Sequence, residues 1–262
     1  KPDWIQMCQD TVFNHVSNVN LLSSHEFAAL RPTDTDIDLS GLCVAHRADF
    51  IRSFLLAKYG GIWIDADCIV MRSLSPLFEL LEKYEFIGYR ERSGFITNNF
   101  MGASVNSRIA IAYYQNICAI LRSGRPIEWL TLGSHTLTST INALGVEWYE
   151  LDTHLIQPVC WSEPKTFFTK REPKGHKEAL NKNSYCYMLS GNMVNGFMKD
   201  NPSESLLHNM SFFNFLCKKS RRNSILSKIR YRKNTDDDNW VIPEVIERDM
   251  YRIQDELTLL TP

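Results

Sequence analysis

The chain has 262 residues, 44% of them hydrophobic and 23% charged, and a chain of this size buries roughly 70–75% of its unfolded surface in a full core. A formal net charge of −1 gives no global reason to expect nucleic acid as a partner, and no apolar run approaches the ~18–20 residues of a membrane span. Seven cysteines, spread from Cys8 to Cys217 without a CxxC, fit free thiols in a reducing compartment better than a disulfide framework.

In chain order, Trp4, Ile5, Cys8 and Val12 form an apolar stripe at helical spacing behind Pro2 and Asp3. "NVNLL" (18–22) reads as a short buried strand, followed by an Asp-rich loop over 31–41. Ala48, Ile51, Phe54 and Leu55 share one face, predicting a helix over about 44–59 that Gly60 and Gly61 stop. "IWI" (62–64) follows as a buried strand with "DAD" (65–67) at its far end. Helices are expected over 75–84, 107–124 and 134–145, and strands over 86–89, 146–151 and 155–159. Such alternation argues for an α/β fold with a mainly parallel sheet flanked by helices. The last segment changes character. Residues 218–233 carry eight Lys or Arg in sixteen positions, "DDD" (236–238) follows, and Ile242 to Leu260 recur at three- and four-residue steps, as in an amphipathic helix. The expected division is a catalytic domain over 1–217 and a basic, helical C-terminal extension over 218–262.

The chemistry concentrates in residues 47–77. Side chains two apart on an extended chain point the same way, so Asp65 and Asp67 are expected to face one side, at the strand end where open α/β sheets collect ligands. Carboxylates directed at one spot repel unless a cation lies between them, and hard oxygen donors select Mg²⁺ or Mn²⁺. Asp49 and Arg52 share a helix face, the Asp suited to sugar hydroxyls and the Arg fork to a phosphate. Glycoside hydrolysis also uses two carboxylates, but those flank a bond from opposite sides, ~5–9.5 Å apart, which neighbours on one strand face match poorly.

"ADFIRSFLLAKYGGIWIDAD" (48–67), with "VMRSLSPL" (70–77) after it, resembles the signature of the DXD-motif glycosyltransferases of family 32, which include capsular polysaccharide synthesis proteins. The resemblance implies a GT-A type nucleotide-sugar fold, a twisted sheet flanked by helices. It implies sugar transfer with retention of configuration, from a nucleotide diphosphate sugar (a UDP-sugar favoured) to a glycan or lipid-linked acceptor, in surface or capsular polysaccharide synthesis. It implies that Asp49, Arg52, Asp65 and Asn99 contact the donor, and that Asp65 and Asp67 are the catalytic pair, holding Mn²⁺ or Mg²⁺. Relatives carry a strand before the position of Trp4, which this chain begins too late to show. Where they read Thr-Gly-Pro this chain reads Leu132-Gly133-Ser134, and for their C-terminal motif the nearest counterparts are "YMLSGN" (187–192) and "LLHN" (206–209). A catalytically inactive sugar-binding or scaffolding module is the competing reading.

Tyr59 and Trp63 are expected in the core, His135 and His208 in structural or surface positions, and the amides of Asn98 and Asn99 at sugar hydroxyls or in a plain turn. The expected location is cytoplasmic. The basic stretch 218–233 suits a solvated face or peripheral contact at the inner face of the membrane.

Overall fold

The structure, a computed structural model, describes residues 2–22, 27, 37–170 and 180–234, with side chains to 225. Helix α1 (Asp3–His15) buries Trp4, Cys8 and Thr11. Residues 18–22 are irregular rather than a strand, with Asn18, Asn20 and Leu21 exposed; two leucines and a valine do not make a strand where no sheet edge pairs with them.

Helix α2 (Val44–Tyr59) buries Phe50, Phe54 and Leu56 and ends where expected. Gly60 takes φ +68°, and a Cβ there would stand 2.9 Å from both Ala103 O and Val105 N, so the turn from helix to strand demands glycine. The remaining elements follow in order: β1 (Gly61–Ile64), β2 (Cys68–Val70), α3 (Ser75–Leu81), β3 (Phe86–Tyr89), β4 (Phe100–Ala103) and α4 (Arg108–Arg122). A kinked turn (Thr131–His135) then leads into α5 (Thr136–Leu144), which stops at the left-handed Gly145. Next come β5 (Tyr149–Leu151), α6 (Thr153–Ile156), β6 (Cys186–Met188), α7 (Gly191–Asp200) and α8 (Phe212–Asn234). The expected strand over 155–159 is instead the end of α6 and irregular chain.

The fold is mixed α/β, but the sheet is not mainly parallel. Its order is β1-β4-β3-β5, and only the β3–β5 pairing is parallel; β1–β4 and β3–β4 run antiparallel. The reason is connection length. Residues 90–99 join β3 to β4 by direct reversal, too short for a crossover helix, whereas α4 and α5 intervene before β5. A second, antiparallel ladder joins β2 to β6. Helices α2, α4 and α5 enclose one core around Phe50, Met101, Tyr113 and Leu137. Trp4, Ile69, Tyr187, Phe212 and Leu216 form another around the β2–β6 ladder.

Helix α8 runs unbroken across residues 217 and 218. Beyond that point Ser220 Oγ donates to Val70 O, Asn223 Nδ2 to Met71 O at 3.0 Å and Ser224 Oγ to Asn14 O at 2.7 Å. Lys218, Arg221 and Arg222 are exposed. The rest of the basic side chains, the acidic run 236–238, the amphipathic end and most of the Asp-rich loop lie outside the described residues. Among those described, no helix is long and apolar enough to cross a membrane.

Candidate active site

The Asp-x-Asp segment bridges the two sheets. Asp65 N donates to Asn99 O at 2.9 Å, extending the β1–β4 ladder by one residue. The chain then turns through Ala66, and Asp67 O accepts from Leu189 N at 3.1 Å, at the end of the β2–β6 ladder. The segment is therefore a turn rather than the extended strand end expected, and each carboxylate has its own support.

On the Asp65 side, one carboxylate oxygen accepts from Trp63 Nε1 at 2.7 Å and faces Arg52 Nη2 at 3.1 Å. Trp63 packs against the core as expected and also serves the site, with the Arg52 guanidinium 5.4 Å from its ring centroid. A side-chain cation therefore already stands beside Asp65. Arg52 is 5% exposed, and each of its three nitrogens faces a protein acceptor: Nε the Ala48 carbonyl at 3.2 Å, Nη1 that of Asn98 at 2.6 Å, and Nη2 the carboxylates of Asp65 and, at 3.7 Å, Asp49. In this arrangement its fork is turned to the protein, not presented to a phosphate. Asp49 is buried and accepts from Asn98 Nδ2 at 2.7 Å. That amide also reaches Tyr113 OH at 3.1 Å, whose own proton goes to Leu132 O. Gly133 closes the network, since a Cβ there would press on the Asn98 amide at 3.1 Å.

On the Asp67 side, the backbone N–H of Gly191 donates to Asp67 Oδ2. Gly191 is the first residue of α7, so the carboxylate meets an unpaired N–H at the positive end of a helix. Ser190 before it holds φ +60°, a left-handed conformation uncommon outside glycine, which aims the helix start at Asp67. "YMLSGN" therefore reaches the site. "LLHN" does not line the groove; His208 Nδ1 accepts from Met210 N instead.

Burial raises the pKa of all three carboxyls. Asp65 is pushed up to about 6 by desolvation, with Asp67 adding to the rise and Arg52 and Trp63 opposing it. Asp67 rises by desolvation against the Gly191 N–H, and Asp49 by desolvation against Arg52 and Asn98. For Arg52, burial works against the charge, but Asp65 and Asp49 outweigh it and hold the guanidinium protonated. The carboxylates open onto a groove of about 2090 Å³ that also collects Asn99, Gly133, Trp129 and Trp161.

Among the described residues no cluster of three His, Cys, Asp or Glu side chains stands ready for a metal. The donor set nonetheless fits Mg²⁺ or Mn²⁺, which bind through one or two carboxylates and fill the remaining positions with water and substrate phosphate. A cation here would also offset the desolvation that disfavours ionisation of Asp65 and Asp67.

Of the other expectations, Asn99 lines the groove and accepts from Tyr89 OH at 2.9 Å and Thr97 Oγ1 at 2.6 Å. Tyr59 is not core but 48% exposed, because it ends α2 at the glycine turn. His135 packs on Phe95 with ring centroids 4.7 Å apart. All seven cysteines are free. Sequence reasoning missed the roles of Asn98, Trp63 and Gly191, whose partners lie 49, 2 and 124 residues away; of these only Trp63 lay beside the motif.

Residues 2–87 match the family described as "Glycosyltransferase sugar-binding region containing DXD motif". About a third of the chain is thus similar to a glycosyltransferase region. The O-glycosyltransferase PaGT of Phomopsis amygdali is 35% identical over 80 residues, covering 27% of this chain and 20% of that protein. The chain therefore spans about a fifth of the length of the curated relative it matches. No solved structure matches it.

Proposed function

We propose that this protein is a metal-dependent glycosyltransferase that moves a sugar from a nucleotide diphosphate donor, a UDP-sugar favoured, to a glycan or lipid-linked acceptor. Retention of anomeric configuration and a place in surface or capsular polysaccharide synthesis belong to the same reading. The observation that carries it is the pair Asp65 and Asp67, held on separate sheets yet facing one groove beside a buried arginine.

Asp65 and Asp67 would hold Mn²⁺ or Mg²⁺, which when bound neutralises charge developing on the departing diphosphate. Trp63 and Arg52 fix the Asp65 carboxylate, and the Arg52 charge adds positive potential behind it. Asp49 holds the Asn98 side chain, and Arg52 the Asn98 carbonyl, so the loop that carries Asn99 to the groove is tied to α2 from both sides. Asn99 is spoken for at Oδ1, which leaves its amide nitrogen to meet a sugar hydroxyl.

Nucleotide diphosphate release from a panel of nucleotide sugars is expected to stop on chelation with EDTA and return with Mn²⁺ or Mg²⁺. Full turnover in metal-free buffer would refute the metal role. Metal-dependent donor binding with no release or transfer would instead identify an inactive sugar-binding module.

A further inference from the structure

We infer that the chamber between Glu91, Gln157 and Trp161 is the subsite for a neutral, hydroxyl-rich sugar ring of the acceptor. This rests on the glycosyltransferase reading above. The chamber has a volume of about 160 Å³ and shares Glu91 and Trp161 with the wall of the main groove, so it adjoins that groove. That is far beyond the ~10–15 Å³ that a single buried water needs.

Its lining has the chemistry of sugar recognition. Trp161, 40% exposed, offers an aromatic face to the apolar side of a ring. Gln157 is only 5% exposed, and its buried Nε2 has no hydrogen-bond partner among the described residues. Burying an unpaired amide donor is costly, and a ring hydroxyl met by a turn of this side chain would relieve that cost. Glu91 supplies acceptors, as among the described residues its side chain makes one long contact, 3.5 Å from Ser93 Oγ. Arg92 and His154 add donor groups to this wall, whereas two of its other polar groups are already engaged. Asp152 Oδ1 caps α6 at His154 N, and Thr153 Oγ1 donates to Arg90 O. Two carboxylates and one arginine line the chamber, a poor match for a diphosphate and a good one for hydroxyls.

The position is rigid. Tyr185 N bonds to Leu155 O at 2.8 Å, Asn181 Nδ2 and Ser184 Oγ both donate to His154 O, and Ile156 and Val159 are buried on either side of Gln157. A ring held there lies beside the groove, and none of the residues that support Asp65 and Asp67 lines the chamber.

The test titrates methyl glycosides of gluco, galacto and manno configuration against the full chain, followed by ligand-observed NMR and by indole fluorescence. At least one is expected to bind the wild type without donor or metal. Trp161→Ala is expected to weaken that binding by roughly tenfold or more, and Gln157→Leu to weaken it while keeping the fold. If Gln157→Leu fails to fold, Trp161→Ala, a half-exposed position, decides alone. No binding by any glycoside, or equal binding by Trp161→Ala and wild type, overturns the inference. Mn²⁺-dependent binding of UDP to the wild type, measured in parallel, separates the two readings. UDP bound with no glycoside bound refutes the chamber alone, whereas a glycoside bound with no UDP bound refutes the donor reading and leaves a sugar site.

Discussion

Asp65 and Asp67 are separated by one residue, yet they are held by different halves of the molecule and by different physics. Asp65 belongs to the four-stranded sheet and is held by side chains, Trp63 and the buried Arg52, whose charge it shares with Asp49. Asp67 belongs to the β2–β6 ladder and is held by backbone, the Gly191 N–H at the start of α7. The first support is specific to side-chain chemistry and carries stability as well as function. The second is geometric and depends on nothing larger than hydrogen at one α-carbon.

The sharpest break of this comparison sets Asp67→Asn against Asp65→Asn. Both are expected to lower metal-dependent nucleotide release by ~10²–10³. An Asn at 67 still accepts from Gly191 N–H, so the melting temperature is expected to hold. An Asn at 65 removes a carboxylate whose charge burial disfavours even beside Arg52, so in metal-free protein at pH 7.5 its melting temperature is expected to rise above that of the wild type. Thermal unfolding alongside turnover checks the split, and equal melting temperatures for the two variants would erase it.

Next in size is Gly191→Ala. Its Cβ would stand 3.0 Å from Asp67 Oδ2 and 3.4 Å from the Trp4 ring, displacing the carboxylate. A loss of about 10–100-fold in turnover is expected, from misplacement alone. A fully active variant would show that the Asp67 position tolerates movement.

Arg52→Lys sharpens the other side. A lysine keeps the charge but cannot reach the Ala48 carbonyl, the Asn98 carbonyl and the two carboxylates together. A stability loss of about 1–3 kcal/mol is expected, with turnover falling more than donor affinity, because the fork faces protein. A loss confined to donor affinity, with stability unchanged, would instead point to a phosphate contact.

The smallest effect concerns pH in metal-free protein. The folded pKa of Asp65, raised by desolvation to about 6, lies above its unfolded value near 3.8. Stability from this group is therefore full below about pH 4 and is lost as pH rises through about 6, on the order of 3 kcal/mol. Asp67 and Asp49 shift in the same direction. The melting temperature is expected to fall from pH 5 to 7.5, and Mn²⁺ to restore it more at pH 7.5 than at pH 5. A pH-independent melting curve would contradict this.

The sequence by itself determined α2 with its glycine stop, the strand after it, most helices, and the segment on which the acidic pair sits. Those features are local: apolar spacing, a backbone turn that only glycine adopts, and a contiguous motif. It did not determine the strand directions, because pairing depends on which edges meet and on how short residues 90–99 are. Nor did it reveal that Asp67 rests on Gly191, that Asn98 joins Asp49 to Tyr113, or that Arg52 turns inward. Only tertiary structure decides such contacts, since a buried polar group takes whichever partner the folded chain brings near, and nothing in the local sequence encodes a neighbour 49 or 124 residues away.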